Sequence, residues 1–199
     1  GENVTQTMHN LLTSRGAKVR DAKAFAVAID DAKNIALDYF DGTIDVIIGT
    51  HHWPTWGNEE CLELLTKQRD MYYFFNNQVI HMINKGMNME EIAEEFELPE
   101  TLGNEFYNRG YYGTLSHDVK AVFQRYVGWW DGNPANYFKY PEVEAAKRYV
   151  SDMGGEDVVL KKAKEYFIKG DYRWTLEMTK QLVFNNPENM EARYLQADA

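Results

Sequence analysis

The sequence has a single cysteine, fewer basic than acidic residues and no long apolar run. Cys61 alone cannot form an internal disulfide, and no Cys-x-x-Cys pair is present for zinc or redox chemistry. The 21 basic residues face 31 acidic ones, and the resulting net charge of −10 argues against nucleic-acid binding, which needs a basic face. No apolar stretch approaches the ~18 residues of a membrane-spanning helix, so we expect no membrane span.

The first residues also lack an initiator methionine and a basic-then-apolar leader. Because the chain opens with Gly-Glu-Asn-Val-Thr, we expect it to be a piece of a longer polypeptide, with any site near residue 1 incomplete.

The composition itself is that of a folded protein. It contains 44% hydrophobic and 14% aromatic residues, which is too many for a disordered chain.

Apolar periodicity predicts a chain of helices with one short strand. Residues 21–40 and 58–85 carry apolar side chains at helical spacing. Residues 43–49 form a β-branched run between glycines, which predicts a buried strand whose sheet partners lie upstream of this chain. After Trp53 only helices and connections are expected, so the predicted domain boundary follows Trp56.

Shorter helices are predicted over residues 89–96, 100–107, 117–128, 141–153 and 157–169. Ser116 is the expected N-cap of the third of these, and Pro141 fits the first turn of the fourth. In the long helix, the run from Met71 to Phe75 holds more large apolar residues than one core-facing stripe accommodates. We therefore expect this helix to lie in a homodimer interface.

The C-terminal stretch carries one repeat-like signature. Gly170-Asp171-Tyr172, followed at the right spacing by Pro187, matches the helix-turn-helix unit of a tetratricopeptide repeat, although Thr175 and Leu182 replace the usual alanines. Such repeats need about three units to be stable alone. A single hairpin packed on the other helices is therefore favoured over a free-standing peptide-binding array.

Two short segments could carry chemistry. His51-His52 directly follows the predicted strand, where ligands gather, but two histidines are not a metal site and half-buried loop histidines remain the alternative. Arg15, Lys18 and Arg20 form a basic turn in an acidic chain, which is typical either of an oxyanion site or of a solvated turn. Glu2 by itself predicts only a solvated terminal carboxylate.

Six segments of the sequence are shared with one family. They are Glu-Asn-Val-Thr-Gln-Thr-Met-His-Asn-Leu, Arg-Gly-Ala-Lys-Val-Arg-Asp-Ala, Thr-His-His-Trp-Pro-Thr-Trp-Gly-Asn, Lys-Gln-Arg-Asp-Met-Tyr, Asn-Arg-Gly-Tyr-Tyr-Gly and Trp-Asp-Gly-Asn-Pro-Ala-Asn. With them, the chain resembles from end to end the bacterial alkyl sulfatases that degrade dodecyl sulfate, members of the metallo-β-lactamase superfamily.

The resemblance implies a mainly α fragment of that family. Residues 1–56 would be the C-terminal portion of a metallo-β-lactamase-like αββα catalytic domain. Residues 57–199 would be an all-helical dimerisation domain with the tetratricopeptide-like hairpin, and a sterol-carrier-like domain would follow it. The family's His-x-His-x-Asp-His motif is absent from this sequence and would lie upstream, together with the first of two metal-binding glutamates.

The resemblance also implies roles for individual residues. Glu2 matches the second metal-binding glutamate and His51 the last metal-binding histidine, preferred over His52. The residues matched to sulfate binding are Asn10, Leu11, Leu12, Thr13, Ser14, Arg15, Arg20 and Tyr112. No residue of this chain is matched to a catalytic acid or base.

The implied activity is zinc-dependent hydrolysis of alkyl sulfate esters to alcohol and sulfate, with two Zn²⁺ ions per active site in the full-length parent. The fragment alone is expected to be inactive and homodimeric through its helical part. The resemblance favours a periplasmic or secreted bacterial protein over a cytoplasmic one. The alternatives are a non-catalytic helical dimerisation or interaction module and another hydrolase of the metallo-β-lactamase superfamily.

Overall fold

A computed structural model describes residues 2–199, which divide into two compact units, the first ending at Asp131 and the second beginning at Gly132. The first unit contains α1 (Ala22–Tyr39), β1 (Val46–Ile47), β2 (Thr55–Trp56), α2 (Asn58–Asn84), α3 (Met89–Glu95), α4 (Glu100–Gly103) and α5 (Leu115–Val127). The second contains α6 (Pro134–Tyr137), α7 (Glu142–Asp152), α8 (Glu156–Ile168), α9 (Tyr172–Asn185) and α10 (Met190–Asp198). The protein is therefore mainly helical, as predicted. The predicted boundary after Trp56 concerns the domain plan of a longer protein and stays a prediction.

Helix α1 lies where the apolar periodicity predicts it. The Asp21 carboxylate caps its first turn by accepting a hydrogen bond of 3.1 Å from the amide of Ala24. Ala26 and Ile29 are buried in the core of the first unit. The helix stops before Asp41 and Gly42, which both have positive φ, a conformation that breaks the helical hydrogen-bond ladder.

The predicted lone strand is wrong in length and in its lack of a partner. Only Val46–Ile47 is a strand, and it pairs antiparallel with Thr55–Trp56, with Val46 opposite Trp56. Ile48, expected inside a buried strand, is exposed. A β-branched run has the same pattern whether it lies in a sheet centre or at an edge, so the pattern alone did not reveal a partner strand whose paired residues follow 8 and 10 positions later in the chain.

Helix α2 is the central element of the first unit, and the chain itself covers the apolar run that suggested a dimer surface on this helix. The interface on α2 stays a prediction. Met71, Tyr72 and Phe75 are fully buried, whereas Tyr73 and Phe74 are half-buried against the same core. Helices α1, α3 and α5 all pack on α2, so more than one of its faces is covered from within the chain. Full burial of a side chain such as Phe75 contributes ~1.5–3 kcal/mol relative to exposure.

The beginning of α5 also differs from the prediction. Its N-cap is Thr114, whose hydroxyl accepts a hydrogen bond of 3.3 Å from the amide of His117. Ser116, the predicted cap, lies inside the first turn. Thr114 and Ser116 both have hydroxyl side chains that can cap a helix, so residue type alone does not decide at which of the two positions the helix begins. Pro141 precedes the first residue of α7 instead of lying within its first turn.

The second unit is a small helical bundle with its own core. The buried residues Val159, Ala163, Met178 and Leu182 come from α8 and α9, which pack closely together. Thr175 is fully buried, and its hydroxyl donates a hydrogen bond of 2.8 Å to the carbonyl of Asp171 one turn earlier. A threonine is therefore tolerated there because the helix itself satisfies its hydroxyl. No helix formed by residues 2–199 is long and apolar enough to span a bilayer.

Candidate functional site

The first unit contains a cavity of about 430 Å³ lined mainly by polar side chains. Three segments form it: the irregular stretch before α1, the loop that follows β1, and the loop that precedes α5. The lining residues are Glu2, Thr5, Thr7, His9, Arg15, Arg20, His51, His52 and Tyr112. The structure therefore brings together five of the residues matched to metal or sulfate binding, namely Glu2, Arg15, Arg20, His51 and Tyr112.

The stretch before α1 has no regular secondary structure, and distant groups hold it in place. Its backbone is anchored to α2 through Gln68, whose amide nitrogen donates to the carbonyl of Thr5 at 2.6 Å. It is anchored to α5 through Asp118, whose Oδ1 accepts from the amide of Leu11 at 2.9 Å. These buried hydrogen bonds join residues 63 and 107 positions apart, so the fold positions this segment without a helix or strand.

The loop before α5 makes a close backbone approach at Gly113. The Gly113 amide donates to the carbonyl of Met8 at 2.9 Å. A Cβ atom at this position would lie 2.8 Å from the carbonyl carbon and oxygen of His9. Only glycine allows this approach, which places the neighbouring Tyr112 on the cavity wall.

Glu2 and His51 meet at one end of the cavity. His51 Nε2 lies 2.7 Å from Oε1 of Glu2, and both side chains are partly exposed. The hydrogen bond from His51 lowers the pKa of the Glu2 carboxyl, with a smaller contribution from His9, whose Nε2 lies 3.4 Å from Oε2. Glu2 is therefore held in its ionised form between two imidazoles.

The two consecutive histidines have different partners. His52 Nε2 lies 3.3 Å from the hydroxyl of Thr7, and its ring packs edge-on against Trp53 at 5.6 Å. His51 alone of the two reaches Glu2. This agrees with the expectation that adjacent side chains on an extended backbone face opposite ways. The assignment of His51 as a metal ligand itself stays a prediction.

Two guanidinium groups face the cavity. Arg20 Nη1 donates to the carbonyl of Asn10 at 2.6 Å and lies 2.9 Å from Nδ1 of His9. Arg15 lies in an exposed turn in which the amide of Gly16 donates to the carbonyl of Thr13 at 3.1 Å. Within residues 2–199 neither guanidinium forms an ion pair with a carboxylate. Their charge is therefore available to an anion in the cavity.

The remaining residues of the predicted sulfate loop do not line the cavity. Leu11 is fully buried in the core, and Thr13 is buried with a hydroxyl that has no partner among the described residues. Asn10 contributes its backbone carbonyl to Arg20, and Leu12 contributes its carbonyl to His117. Ser14 is exposed beside Arg15. In this structure these residues shape and anchor the loop that carries the two arginines.

Sequence reasoning missed four residues of the cavity: Thr5, Thr7, His9 and, as a wall residue, His52. His9 is the most informative of them because it is almost fully buried and contacts both Glu2 and Arg20. A signal was available. His9 stands within the Thr-Met-His-Asn-Leu part of a phrase that carried the family resemblance, between the two predicted groups of site residues.

The donor chemistry at Glu2 and His51 suits zinc, which favours imidazole and carboxylate ligands. A zinc site needs three or four such donors in a tetrahedral arrangement. No group of three or more His, Cys, Asp or Glu side chains within residues 2–199 is arranged to hold a metal ion. Glu2 and His51 can therefore hold a metal ion only together with further ligands that do not come from residues 2–199.

Comparison with known proteins reveals close relatives along the whole chain. It is 47% identical over 198 residues to a linear primary-alkylsulfatase and 50% identical over 199 residues to an (R)-specific secondary-alkylsulfatase, both of Pseudomonas sp.. An alkyl/aryl-sulfatase of Saccharomyces cerevisiae is 49% identical over 198 residues. Each match covers 100% of this chain but only 29–30% of the relative, so the chain spans less than a third of their length.

The structural comparison agrees with the sequence comparison. A solved structure of a stereoselective inverting sec-alkylsulfatase from Pseudomonas sp. matches with a TM-score of 0.91 and 50% identity. The match covers 100% of this chain and 31% of that one. Residues 88–199, more than half of the chain, match the family described as alkyl sulfatase dimerisation. These findings confirm the resemblance to alkyl sulfatases, and the chain belongs to the alkyl sulfatase dimerisation family.

Proposed function

We propose that the protein to which this chain belongs hydrolyses alkyl sulfate esters to an alcohol and sulfate, and that this chain forms the sulfate-binding wall of the active site. One observation carries the proposal: Arg15 and Arg20 line the same cavity as the Glu2–His51 pair. Relatives named alkylsulfatases match every part of the chain, which supports the same activity.

Arg20 is suited to hold a sulfate group. Its side chain is fixed by the Asn10 carbonyl at 2.6 Å and by His9 at 2.9 Å, and both contacts use the same terminal nitrogen. A guanidinium has five N–H donors, so donors on its other nitrogens stay available for an oxyanion. Holding the group before the ester arrives removes the entropy cost of ordering it during the reaction.

We further propose that Glu2 and His51 are two ligands of a zinc site completed by residues outside this chain, in a metallo-β-lactamase-like catalytic domain. Their separation of 2.7 Å and their exposure toward the cavity support this role. When bound, the metal ions would activate water near neutral pH and polarise the sulfate oxygens. Because this chain supplies only two donors, we expect the isolated 199-residue chain to release no sulfate from alkyl sulfates in the presence of zinc.

The test of the proposed function is Arg20→Ala in the full-length protein, assayed for sulfate release from dodecyl sulfate. Loss of one charged donor to the reacting group costs about 2.7–4 kcal/mol, so kcat/KM should fall about 10²–10³-fold. Arg125→Ala is the matched control because Arg125 pairs with Asp21 at 3.3 Å on the surface. Wild-type activity of the Arg20 variant, or its unfolding in a thermal melt, would contradict the sulfate-binding role.

A second candidate function is a non-catalytic homodimerisation module, favoured by one feature of the second unit. Phe138 is 95% exposed and lines a groove of about 540 Å³ together with Tyr140, Arg148 and Tyr149 among others. A twofold interface brings the same patch of two copies together, so the Phe138 of each copy can enter the groove of the other. Light scattering on the 199-residue chain tests this, with a dimer mass expected at micromolar concentration and a monomer mass contradicting it.

We also propose that α9 and α10 form a single tetratricopeptide-like hairpin and not part of a peptide-binding array. Met178 and Leu182 of α9 and Ala192 of α10 are buried in the core of the second unit. Helix α9 also packs against α7 and α8. A hairpin whose apolar side chains are covered in this way lacks the extended concave face that repeat arrays use for binding.

A further inference from the structure

His9 is almost fully enclosed in the cavity wall, with 4% of the residue exposed. One ring nitrogen faces Arg20, with Nδ1 2.9 Å from Nη1. The other faces Glu2, with Nε2 3.4 Å from Oε2. A single imidazole therefore lies between the proposed sulfate-binding group and the proposed metal-binding carboxylate.

The neighbours of the ring determine its tautomer. A guanidinium has N–H donors and no acceptor, so Nδ1 accepts from Arg20 and carries no proton. The proton then resides on Nε2, which donates to the Glu2 carboxylate. The neutral state agrees with the effect of burial, which together with the charge of Arg20 lowers the pKa of His9. The carbonyl of Asn10 also lies 3.1 Å from Nδ1 and could accept a proton from it, but the Arg20 nitrogen 2.9 Å away can only donate, so Nδ1 is the acceptor.

The surrounding structure prevents the ring from swinging away. The backbone amide of His9 donates to the buried hydroxyl of Tyr72 at 3.0 Å. Phe25 and Tyr112 pack edge-on against the imidazole, with centroids at 5.9 Å and 5.5 Å. The backbone of Gly113 packs so closely on the backbone of His9 that a Cβ atom at Gly113 would lie 2.8 Å from the His9 carbonyl, which fixes the backbone from which the ring projects. The position of the imidazole is therefore set by the core of the first unit.

We propose that His9 is a positioning residue that couples the two halves of the site, fixing Arg20 through Nδ1 and Glu2 through Nε2. This inference rests on the proposed function. The imidazole touches neither the ester nor the metal in this arrangement and acts through its two neighbours. Such outer partners of metal ligands commonly change metal affinity about 10–100-fold when they are replaced.

Two substitutions separate the two contacts. In His9→Asn the side-chain oxygen falls near the place of Nδ1, where it can accept from Arg20, but the side chain is too short to reach Glu2. In His9→Gln the longer side chain places its amide nitrogen near Nε2, where it can donate to Glu2. Arg20 then loses its side-chain acceptor and keeps only the carbonyl of Asn10. His81→Gln, at an exposed position near the end of α2, is the control for loss of a histidine.

The experiment uses the full-length protein and two readouts: zinc affinity by competition with a chromophoric chelator, and steady-state kinetics with dodecyl sulfate. We expect His9→Asn to lower zinc affinity about 10–100-fold and His9→Gln to keep zinc but raise KM about tenfold or more. The melting temperatures of both variants should stay within a few degrees of the wild type.

The coupling role is overturned if both variants keep wild-type zinc affinity and KM, or if their losses only accompany a collapse of the melting temperature. A wild-type protein that binds zinc but releases no sulfate would instead refute the proposed function. In that case the zinc readout of His9→Asn still tests the contact to Glu2. The two failures are therefore distinguishable.

Discussion

His51 Nε2 lies 2.7 Å from Oε1 of Glu2, although the two residues are 49 positions apart in the chain. The contact joins the loop after the β1 strand to the irregular segment before α1. Neither residue would signal a metal site by itself in the sequence. Their meeting at the edge of a cavity that also holds Arg15 and Arg20 makes a metal and oxyanion site testable residue by residue.

His51→Ala in the full-length protein should lose bound zinc and most of its turnover, because it removes one of the two donors that this chain offers. Zinc content by atomic emission and sulfate release from dodecyl sulfate measure both effects. His52→Ala is the comparison, since its imidazole faces Thr7 and not Glu2, and we expect it to keep its zinc. Equal zinc content in the wild type and the His51 variant would show that the ligand assignment is wrong.

Gly113→Ala should destabilise the chain and disturb the cavity. Its new Cβ atom would lie 2.8 Å from the carbonyl of His9 and 2.9 Å from that of Met8, and these backbone atoms cannot rotate away as a side chain can. Overpacking of this kind costs typically 1–3 kcal/mol of unfolding free energy, measurable by urea denaturation.

Gly103→Ala is the control for the Gly113 substitution. Gly103 is the last residue of α4, and a Cβ atom there would meet Leu98 at an ordinary contact distance of 3.5 Å. We expect its unfolding free energy to stay within about 0.5 kcal/mol of the wild type. Equal stability of the two variants would mean that the backbone approach at Gly113 is not required.

Asp118 should make stability fall as the pH rises. The residue is fully buried, and burial raises its pKa to about 7 from an ordinary 3.8. The folded state therefore binds the proton more tightly than the unfolded state. The stabilisation is complete below about pH 4 and is lost as the pH rises through 7. The slope is at most about 1.4 kcal/mol per pH unit.

Asp118→Asn tests this linkage because the amide oxygen can still accept from the amide of Leu11, while the titrating group is gone. Urea unfolding of the chain at several pH values between 4 and 8 should show a flatter profile for this variant. Asp38→Asn, on an exposed part of α1, should keep the wild-type slope. Parallel profiles for the wild type and the Asp118 variant would contradict the raised pKa.

Phe138→Asp should weaken homodimerisation. A fully desolvated aromatic anchor contributes about 2 kcal/mol or more to an interface, so the dimer dissociation constant should rise at least about 30-fold. Ile168→Asp is the matched control because Ile168 is also an exposed large apolar residue of the second unit, at 84%. Sedimentation velocity of the 199-residue chain measures both. A loss of dimer in both variants, or in neither, would place the interface elsewhere.

The test of dimerisation requires the whole chain. A shorter chain beginning near Trp56 would lack α1, which packs against α2, as well as Met8 and Leu11, which are buried in the same core. Its exposed apolar residues would promote non-specific association. The apolar residues that suggested an interface on α2 are themselves covered by α1, α3 and α5, so removing α1 would expose some of them.

The candidate site was predictable in part. Arg15 and Arg20 stand out as basic residues in an acidic chain, and His51 follows a predicted strand, so residue type and position were informative. Thr5 and Thr7 carry no such local signal, and for His9 the only one is its place in a segment shared with the family, because a buried threonine or histidine more often only forms a structural hydrogen bond. The recognition of His9 required its two partners, 7 and 11 positions away, on an irregular segment with no period to predict its shape.

Local sequence patterns were enough to establish the helical character of the chain, the position of α1 and the extent of α2, because apolar periodicity, caps and glycine stops act over one or two turns. The segments that it shares with the alkyl sulfatases identified the family. The tertiary structure alone decided that β1 pairs with Thr55–Trp56, that α2 is enclosed, and that His9 lies between Arg20 and Glu2. These outcomes depend on hydrogen bonds and packing between residues up to 107 positions apart, such as Leu11 and Asp118, which no local pattern encodes.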